Sequence, residues 1–420
     1  MFRELVDTPP AASELRAEQR SSLRELAPGE WAAMARNLGL FASEPFLLAV
    51  ERSATTPTTY ILLRDAEGRL RAGVPCYLWE GAPDPGLDHY EPFRMGGRWI
   101  LSKRAREQLW RPTLLVGSRS GYRTSFVLDP SWVGGTEQLV TRLAQEVAAL
   151  ADRTGAQSVG WMWLTPESAA QLAGCLRFPE DLLLAGPNCS IPLPPPSFEG
   201  YLGRLSCSRR KSARREMQRF ASSGLVVEHR RLSECADELA PLAVNLQRRY
   251  GHQPDQSTLS AELQVQAELL DDQSIVLLCR DQGRAVGFSL LYRWEEVLYG
   301  RMAGFDYQAV GRSDAYFNLA FYDPVRLGYE LEMRRYHLGM AAWKAKVMRG
   351  ATLEPAWILV WPPPRVRGPW RRVISQRTAP GAMAAWWARE FPAQVDLTGD
   401  WRWTLGGLLS PTDRRGTPVS

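Results

Sequence analysis

The chain contains the same hairpin pattern twice. Tyr60–Trp79 reads YILLRDAEGRLRAGVPCYLW, and Ile275–Trp294 reads IVLLCRDQGRAVGFSLLYRW. In both segments an apolar run leads into Arg-Asp, a Gly-Arg turn follows, and a second apolar run ends at a tryptophan. Two apolar runs joined by a short glycine turn predict a β-hairpin. Because the copies lie about half a chain length apart, they predict two similarly folded domains rather than a short-period solenoid.

Length and composition are those of a globular protein with two or three domains. The chain has 420 residues, of which 45% are hydrophobic and 16 are tryptophan. No run approaches the roughly 18 uninterrupted apolar residues of a membrane-spanning helix, and the acidic N-terminus lacks the apolar core of a signal peptide. We therefore expect a cytoplasmic protein without a transmembrane segment. The six cysteines form no Cys-x-x-Cys pair, so neither a disulfide framework nor a zinc site is predicted.

The order of predicted elements divides the chain into three parts. Strands are expected from Phe46 to about Trp79, a helix is expected over 134–155, and a buried strand over 158–164. A proline-rich segment, Ile191–Pro196, is expected to link this region to the next, because such a segment is stiff and hard to bury. The predicted parts are an N-terminal domain (1–190), a C-terminal domain (191–364) and a C-terminal tail that packs on the domains (365–420).

Three motifs lie in the second half of the chain. The first is an arginine-rich helix within Leu205–Phe220. The second is Tyr299–Gly304, with the sequence YGRMAG, on a predicted strand. The third, His337–Gly350, contains a lysine followed four residues later by a glycine. Together with the doubled order of elements, these motifs resemble the GNAT superfamily of N-acyltransferases, and more narrowly the Fem-type aminoacyltransferases.

The resemblance implies an α/β (α+β) fold with two tandem GNAT-like domains, each a mixed, mostly antiparallel sheet flanked by helices. It implies that the second domain carries the active site, and that the enzyme joins an activated acyl or aminoacyl group to a primary amine. The expected co-substrate is aminoacyl-tRNA or acyl-CoA, and no tightly bound cofactor or metal is expected. The amine is expected to belong to a small molecule or a biosynthetic precursor.

Two departures from the family pattern matter. Fem-type peptidoglycan enzymes often carry a long helical-hairpin arm, and no heptad run here predicts one, so the resemblance does not imply a cell-wall substrate. CoA-dependent members place Gln/Arg-x-x-Gly-x-Gly/Ala before their main helix, where this chain has Gln308, Gly311 and Ser313. Backbone N–H groups of such a turn can hold a pyrophosphate. Asp314 beside the turn would repel phosphate and favours an ordinary helix cap.

The arginine-rich helix has two interpretations. Ala213, Met217 and Phe220 share one face, and six cations surround the rest with Glu216 as the acid among them. So much positive charge favours contact with the phosphates of tRNA or the nucleotide end of CoA; the alternative is a solvated face paired with acids elsewhere. The predicted donor-phosphate ligands are Arg209, Arg210, Lys211, Arg214, Arg215, Gln308, Gly311 and Ser313.

The resemblance also implies the catalytic residues. Lys346 lies where the family's lysine approaches the donor carbonyl, so its ammonium is expected to stabilise the oxyanion of the tetrahedral intermediate. Tyr299 and Arg301 point the same way from one strand, where Arg301 can anchor an acceptor carboxylate. Asp306 is a candidate base for the attacking amine. The alternative for Lys346 is a lysine on the protein surface without a catalytic role. The alternative for Tyr299, Arg301 and Asp306 is ordinary contact with residues of neighbouring strands.

Four further residues complete the predicted site. Tyr316 is placed like the tyrosine that protonates the leaving group in many GNAT enzymes, although a helical tyrosine is more often part of a core. His337 is a catalytic candidate, although a histidine beside a buried strand is usually structural. Lys344 and Arg349 flank Lys346 and are expected to help bind substrate.

The remaining alternatives concern the donor and the class of protein. The sequence has no Ser-His-Asp order, Walker loop or metal-ligand spacing that would support a hydrolase, kinase or metalloenzyme. The doubled domain and the arginine-rich helix narrowly favour aminoacyl-tRNA, whereas the modest net charge of +5 and the turn at 308–313 favour acyl-CoA. A non-catalytic, GNAT-like nucleic-acid-binding protein is the alternative of another class. The joint presence of Tyr299–Gly304 and Lys344–Gly350 argues against it.

Overall fold

Two compact units make up the structure, which is a computed structural model. The first unit comprises Met1–Pro187 and Glu354–Ser420, and the second comprises Asn188–Leu353. Each unit has a mixed, mostly antiparallel sheet flanked by helices, which confirms the predicted fold class. The residues that the structure describes are 1–7, 15–81, 109–249, 251, 253–368, 371 and 380–395.

The described strands and helices follow the chain in this order. The strands are β1 (Arg16–Arg20), β2 (Thr58–Arg64), β3 (Leu70–Trp79), β4 (Thr113–Val116), β5 (Val127–Leu128), β6 (Ser158–Leu164), β7 (Leu182–Pro192), β8 (Val226–Arg230), β9 (Ser274–Asp281), β10 (Arg284–Trp294), β11 (Val297–Phe305), β12 (Arg335–Gly339) and β13 (Thr352–Trp361). The helices are α1 (Glu30–Met34), α2 (Glu44–Ser53), α3 (Gly135–Thr154), α4 (Pro166–Gly174), α5 (Phe198–Arg204), α6 (Cys207–Ala221), α7 (Ala236–Arg249), α8 (Gln256–Leu270), α9 (Tyr307–Val310), α10 (Ala315–Phe317), α11 (Asp323–Glu330), α12 (Trp343–Val347) and α13 (Pro380–Glu390), with a π-helical turn, Asn318–Tyr322, between α10 and α11.

The two units share one order of strands. In the first unit, antiparallel β2, β3 and β4 are followed by α3 and by β6, which runs parallel to β4. In the second unit, antiparallel β9, β10 and β11 are followed by α10 and α11 and by β12, which runs parallel to β11. The strand beyond the parallel pair comes from the other half of the sequence in each unit, since β6 pairs with β13 and β12 pairs with β7. The repeated hairpin sequence is therefore part of a repeated fold.

Helix α3 packs on β2 and β3 of the first unit. Its apolar residues Leu139, Leu143, Val147 and Leu150 are all buried, as their helical spacing predicts. The helix ends at Gly155, which has a φ of 69° that favours glycine. The core of this unit is thus a sheet face covered by one long amphipathic helix.

In the second unit, helices cover both faces of β10 and β11. Gly304 lies so close to α7 that a Cβ atom there would be 2.4 Å from the carbonyl carbon of Leu242. The next residue, Phe305, points to the other face, where its ring packs against Tyr316 with 5.6 Å between centroids. Gly304 and Phe305 thus mark two faces of the sheet, which we call the α7/α8 face and the α10/α11 face after the helices that cover them.

Three features differ from the sequence predictions. Residues 44–53 form α2 rather than a strand, because the buried Phe46, Leu47 and Val50 follow helical spacing. The segment predicted as a linker begins inside β7, where Ile191 pairs with Tyr336 of β12. The predicted domain bounds of 190 and 364 differ from the two units at the second boundary, because residues from 354 onward belong to the first unit.

Among the described residues, no helix is long and apolar enough to cross a membrane.

Candidate donor groove and active site

An open groove lies between the C-terminal half of α6 and the turn that follows α9. Its volume is about 650 Å³. Three arginines line it, Arg215 and Arg219 from the helix and Arg312 from the turn, together with one acid, Asp281. The remaining lining residues are Gln218, Ser222, Ser223, Leu225, Ala309, Val310 and Ser313. Two segments that the sequence analysis assigned to donor phosphate, the arginine-rich helix and the 308–313 turn, therefore meet at one surface.

The predicted cations of α6 divide into two groups. Arg210 donates to the carbonyl of Gly203 at 3.2 Å, and Arg214 pairs with Glu199 at 3.1 Å, so protein groups already engage both. Within the described residues, Arg209, Lys211 and Arg215 make no hydrogen bond or ion pair, and all three are exposed. Three of these five cations are thus available to an anion, and the other two contact α5.

Lys211, Arg215 and Arg219 are spaced four residues apart and form what we call the basic stripe. Residues at this spacing lie along one face of a helix. Two members of the basic stripe line the groove, and Lys211 extends it one turn toward the N-terminus of α6. Arg219 also pairs with Asp314, which holds the helix against the turn. The basic stripe continues the positive charge of the groove along the helix.

Glu216, the acid within the cationic run, anchors α6 to the rest of the unit. Its carboxylate pairs with Arg349 at 2.9 Å and also accepts from the hydroxyl of Tyr322. The guanidinium of Arg349 lies 3.7 Å from the ring centroid of Phe317, and the residue is 5% exposed. Arg349, which the sequence analysis placed among the substrate-binding residues, is therefore located in a buried ion pair away from solvent. This pair fixes the arginine-rich helix in place.

The turn at 308–313 has the conformation of a tight connection. Gly311 has a φ of 49°, and the Ser313 hydroxyl accepts from the backbone N–H of Ala315 at 3.2 Å. Gln308 is exposed. Asp306 caps α9, since its carboxylate accepts from the backbone N–H groups of residues 308 and 309, both at 3.1 Å, and pairs with Arg284 at 2.9 Å.

Asp306 is poorly suited to the predicted role of general base. The backbone N–H groups and the Arg284 guanidinium lower the pKa of its carboxyl below the ordinary value. A carboxylate whose pKa is lowered has little tendency to take a proton from an amine. Its geometry is that of a helix N-cap.

Strands β11 and β12 pair over a short stretch and then separate. Their parallel register begins at Val297 opposite Arg335 and ends at Tyr299 opposite His337. A β-bulge in β11 follows at once, because Leu290 of β10 pairs with residue 302 and Leu291 with residue 300. Arg301 is the additional residue of this bulge. Residues 300–303 are partly exposed, so the separation opens an accessible stretch of strand edge in the middle of the sheet.

The structure places Tyr299, Arg301 and His337 on the α7/α8 face at this separation. The rings of Tyr299 and His337 lie 5.3 Å apart, and both residues are buried. Arg301 reaches Glu262 of α8 at 3.2 Å. Tyr316 lies on the opposite face, half-buried, in contact with Phe305. The structure therefore brings three of the predicted residues together and separates Tyr316 from them.

Lys346 is inside the protein rather than on its surface. It is 8% exposed, and its ammonium donates to three consecutive backbone carbonyls, those of Leu338 at 2.8 Å, Gly339 at 3.1 Å and Met340 at 2.6 Å. Three bonds use all three N–H donors of the ammonium. Burial lowers the pKa of Lys346 from 10.5 to about 8, with the Cys189 thiol opposing the shift.

The turn that Lys346 holds is conformationally strained. Gly339, Ala341 and Ala342 have φ values of 67°, 63° and 50°. Left-handed conformations cost non-glycine residues free energy and persist where surrounding contacts impose them. In this geometry Lys346 stabilises the turn after β12 and has no N–H left for an oxyanion. Lys344, two residues earlier, is exposed.

Sequence analysis missed three features of this region. Arg312 lies within the turn at 308–313 that was predicted to bind donor phosphate, but it was not included among the predicted ligands. Glu262 lies on α8, a helix that was not predicted. The backbone role of Lys346 has no sequence signal, because a lysine that binds its own chain looks like one that binds a ligand. In the described residues, no three His, Cys, Asp or Glu side chains lie together as metal ligands would.

Comparisons with known proteins identify the family of the chain. A FemAB-like family, described as peptidoglycan biosynthesis/recognition, matches residues 128–362, more than half of the chain. The crystal structure of FemX matches with a TM-score of 0.50 and 12% identity, covering 86% of this chain and 100% of that one. No curated protein sequence matches the chain.

Two further solved structures are similar at lower scores. The C-terminal domain (DUF2156) of a putative lysylphosphatidylglycerol synthetase from Agrobacterium fabrum has a TM-score of 0.49 and 13% identity over 79% of this chain and 90% of that one. A tandem GNAT protein from the clavulanic acid biosynthesis pathway has a TM-score of 0.48 and 11% identity over 83% and 97%. The predicted Fem-type resemblance is confirmed: the chain belongs to the FemAB-like family, and its fold is similar to that of FemX.

Proposed function

We propose that this acyltransferase forms an amide bond, by passing an aminoacyl group from aminoacyl-tRNA to the primary amine of a small molecule or precursor. The observation that carries the proposal is the groove of three arginines that continues into the basic stripe. Such a surface suits a donor whose acyl group is attached to a phosphate-bearing carrier. Because both candidate carriers are made and used in the cytoplasm, we place the reaction there.

The length of the basic stripe favours tRNA over CoA. From Lys211 to Arg219 the helix rises about 12 Å, and the stripe extends beyond the groove in the direction of Lys211. A diphosphate fits within a groove of about 650 Å³. A line of cations leading out of it suits a polyanion that continues past the acyl end.

Acyl-CoA is the second candidate donor. The turn at 308–313 lines the groove together with Arg312. Its N–H groups at residues 308, 309, 310 and 313 already donate to protein oxygens, so a pyrophosphate would use the rest of the turn and the Arg312 guanidinium. Acyl-CoA would bind within the groove and would not contact Lys211. The two donors therefore differ in whether the outer end of the basic stripe matters.

The proposed reaction is a direct transfer. The amine nitrogen attacks the ester carbonyl, the C–N bond forms, the C–O bond to the ribose breaks, and the released hydroxyl takes the proton that the amine gives up. The acyl group is already activated on its carrier, so the enzyme's contribution is positioning and stabilisation of the oxyanion. We assign the oxyanion to backbone N–H groups of β11 beyond Tyr299, where β12 has separated.

The side chains of the proposed site have distinct roles. Lys346 is a positioning residue that holds the turn after β12, and Arg349 is a positioning residue that holds α6. Tyr299 and His337 form the floor at the strand separation. Tyr316 stays a candidate for protonating the leaving group.

The test is transfer from a labelled donor to a set of amines. An amide product from aminoacyl-tRNA that disappears when ribonuclease is added first would support the proposed donor. An unchanged yield from acyl-CoA with no RNA present would instead identify the CoA-dependent reaction.

Binding of tRNA at several salt concentrations gives an independent measurement. Lys211→Gln and Arg215→Gln should each weaken binding and reduce the slope of log K against log salt concentration by about 1. Arg209→Gln is the matched control, because this exposed arginine lies on a different face of the same helix. Equal effects at all three positions would contradict a role for one face.

A further inference from the structure

A chain of hydrogen bonds joins β10, α8 and β11 behind the strand separation. The hydroxyl of Tyr292 donates to Gln266 Oε1 at 2.8 Å, and Gln266 Nε2 donates to Glu262 Oε1 at 3.0 Å. Arg301 Nη2 donates to the same oxygen of Glu262 at 3.2 Å. Tyr292 is fully buried and Gln266 is 4% exposed. The chain fixes the orientation of the Glu262 carboxylate from two sides.

The two charged members retain unused hydrogen-bonding capacity. In the described part of the chain, Glu262 Oε2 accepts no hydrogen bond, and the side chain is 22% exposed. Arg301 Nε is buried and has no partner among the described residues, and the Arg301 side chain is 17% exposed. A buried donor without a partner costs free energy comparable to a lost hydrogen bond. The pair therefore offers one carboxylate oxygen and one guanidinium edge to a ligand.

The position of the pair relates it to the opened strand edge. Arg301 is the additional residue of the bulge, two residues beyond Tyr299, the last residue of β11 that pairs with β12. Bulges re-aim side chains and are frequent beside active sites. A group bound to Arg301 and Glu262 would lie next to the partly exposed residues 300–303.

The chemistry of the pair identifies the ligand class. A carboxylate oxygen suits an ammonium, and a guanidinium suits a carbonyl or carboxylate oxygen. The pair is neutral as a whole, so it suits a ligand that presents both groups rather than a single ion. An α-amino acyl group, with its ammonium one carbon away from a carbonyl, has this arrangement.

We propose that Glu262 and Arg301 form a subsite for an α-amino acyl group, in which Glu262 Oε2 accepts from the ammonium and Arg301 donates to the neighbouring carbonyl oxygen. Gln266 and Tyr292 act as positioning residues. This inference rests on the proposed aminoacyl transfer, and it assigns recognition of the aminoacyl group to Glu262 and Arg301. The group can come from the donor or from an amino-acid-like acceptor.

Binding of small probes tests the subsite without any transfer. An amino-acid methyl ester and its N-acetyl derivative would be titrated into the protein and followed by NMR of the ligand. The wild type should bind the free-amine ester more tightly by about 10- to 100-fold, because a hydrogen bond to a charged group is lost in the derivative. Glu262→Gln should remove this preference, and Gln266→Met should reduce it. Glu268→Gln, on the same helix and exposed, should keep it.

Two outcomes would overturn the subsite. One is that the wild type binds both probes equally, and the other is that Glu262→Gln keeps the preference while its far-ultraviolet spectrum shows a folded protein. Both outcomes are independent of whether tRNA or CoA is the donor, so the failure of the subsite is separable from that of the proposed function. Competition of the methyl ester against aminoacyl-tRNA would assign the subsite to the donor, and competition against the amine would assign it to the acceptor.

Discussion

Replacing Lys346 with methionine is expected to destabilise the fold and slow transfer together. The ammonium makes three hydrogen bonds to the carbonyls of residues 338–340, at 2.6–3.1 Å. Methionine has a similar length but no donor, so the three carbonyls would lose their common partner. The strained turn that contains Ala341 and Ala342 would then relax.

The magnitude follows from two opposing terms. Hydrogen bonds from a charged donor contribute about 1.5–3 kcal/mol each. Burial of the ammonium, which lowers the pKa of Lys346 to about 8, offsets about 3 kcal/mol of this. The net loss in the free energy of unfolding is therefore about 1.5–6 kcal/mol. A shift of the turn by about 1 Å would lower kcat by about 100-fold.

Urea denaturation and steady-state transfer would be measured on the same protein samples. Lys344→Met is the matched control, because Lys344 is exposed and two residues away, and it should change neither quantity. Lys346→Arg should resemble the methionine variant in direction, since a planar guanidinium cannot direct three donors at three consecutive carbonyls. An unchanged free energy of unfolding with kcat reduced 100- to 1,000-fold would refute the positioning role and favour direct contact with the oxyanion.

The pH dependence of stability and of activity gives a second test of the role of Lys346. Because the pKa in the folded state, about 8, lies below the ordinary 10.5, burial favours the neutral amine, and this group makes the free energy of unfolding rise with pH above 8. A neutral amine has two N–H donors, so one of the three bonds is lost. Activity should therefore fall between pH 8 and 9 without loss of stability. A parallel fall in both quantities would contradict this explanation.

Three other substitutions test the surrounding structure. Arg349→Met should lower the free energy of unfolding by about 3–5 kcal/mol in urea denaturation, because it leaves the buried carboxylate of Glu216 without its arginine partner. Arg214→Gln, at an exposed ion pair, should change the free energy of unfolding by less than about 1 kcal/mol. Similar values for both variants would contradict the anchoring of α6 by Arg349. Gly304→Ala should lower the free energy of unfolding by about 1–3 kcal/mol or more, because the new Cβ would overlap the backbone of α7. Gly203→Ala, whose Cβ would meet no atom within 4 Å, should leave the free energy of unfolding unchanged. A Gly304→Ala variant as stable as the wild type would contradict the close approach of β11 and α7. Asp306→Ala should cost about 1 kcal/mol as a lost helix cap and leave measurable transfer, and a complete loss of turnover in a folded variant would restore its role as base.

The architecture of both units could be predicted from the sequence because the hairpin pattern is local and repeated. The turn between each pair of strands is encoded by adjacent residues, and the periodicity of α3 is unbroken over 20 residues. Strand pairing between distant segments has no such signal. The pairing of β13 with β6 and of β7 with β12 was therefore missed, and the predicted domain bounds followed the order of the sequence.

The candidate site was predicted in part, for a physical reason. Six cations on one helix favour contact with anions, which the sequence predicts, but neither the groove nor the face that lines it could be read from their spacing. Whether a particular cation meets a ligand or the protein depends on tertiary contacts, which separate Arg215 at the groove from Arg349 in its buried pair. The same limit applies to Lys346, whose partners are backbone carbonyls, and to Asp306, which binds two backbone N–H groups as well as Arg284.

The most direct test of the account is a single-turnover experiment with labelled aminoacyl-tRNA and an excess of amine. Samples quenched over time would be analysed by mass spectrometry for the ester, the amide product and the intact protein. Direct transfer predicts that the amide appears at the rate at which the ester disappears, with the mass of the protein unchanged. An acylated protein that forms and decays, or loss of the ester to hydrolysis alone, would contradict it.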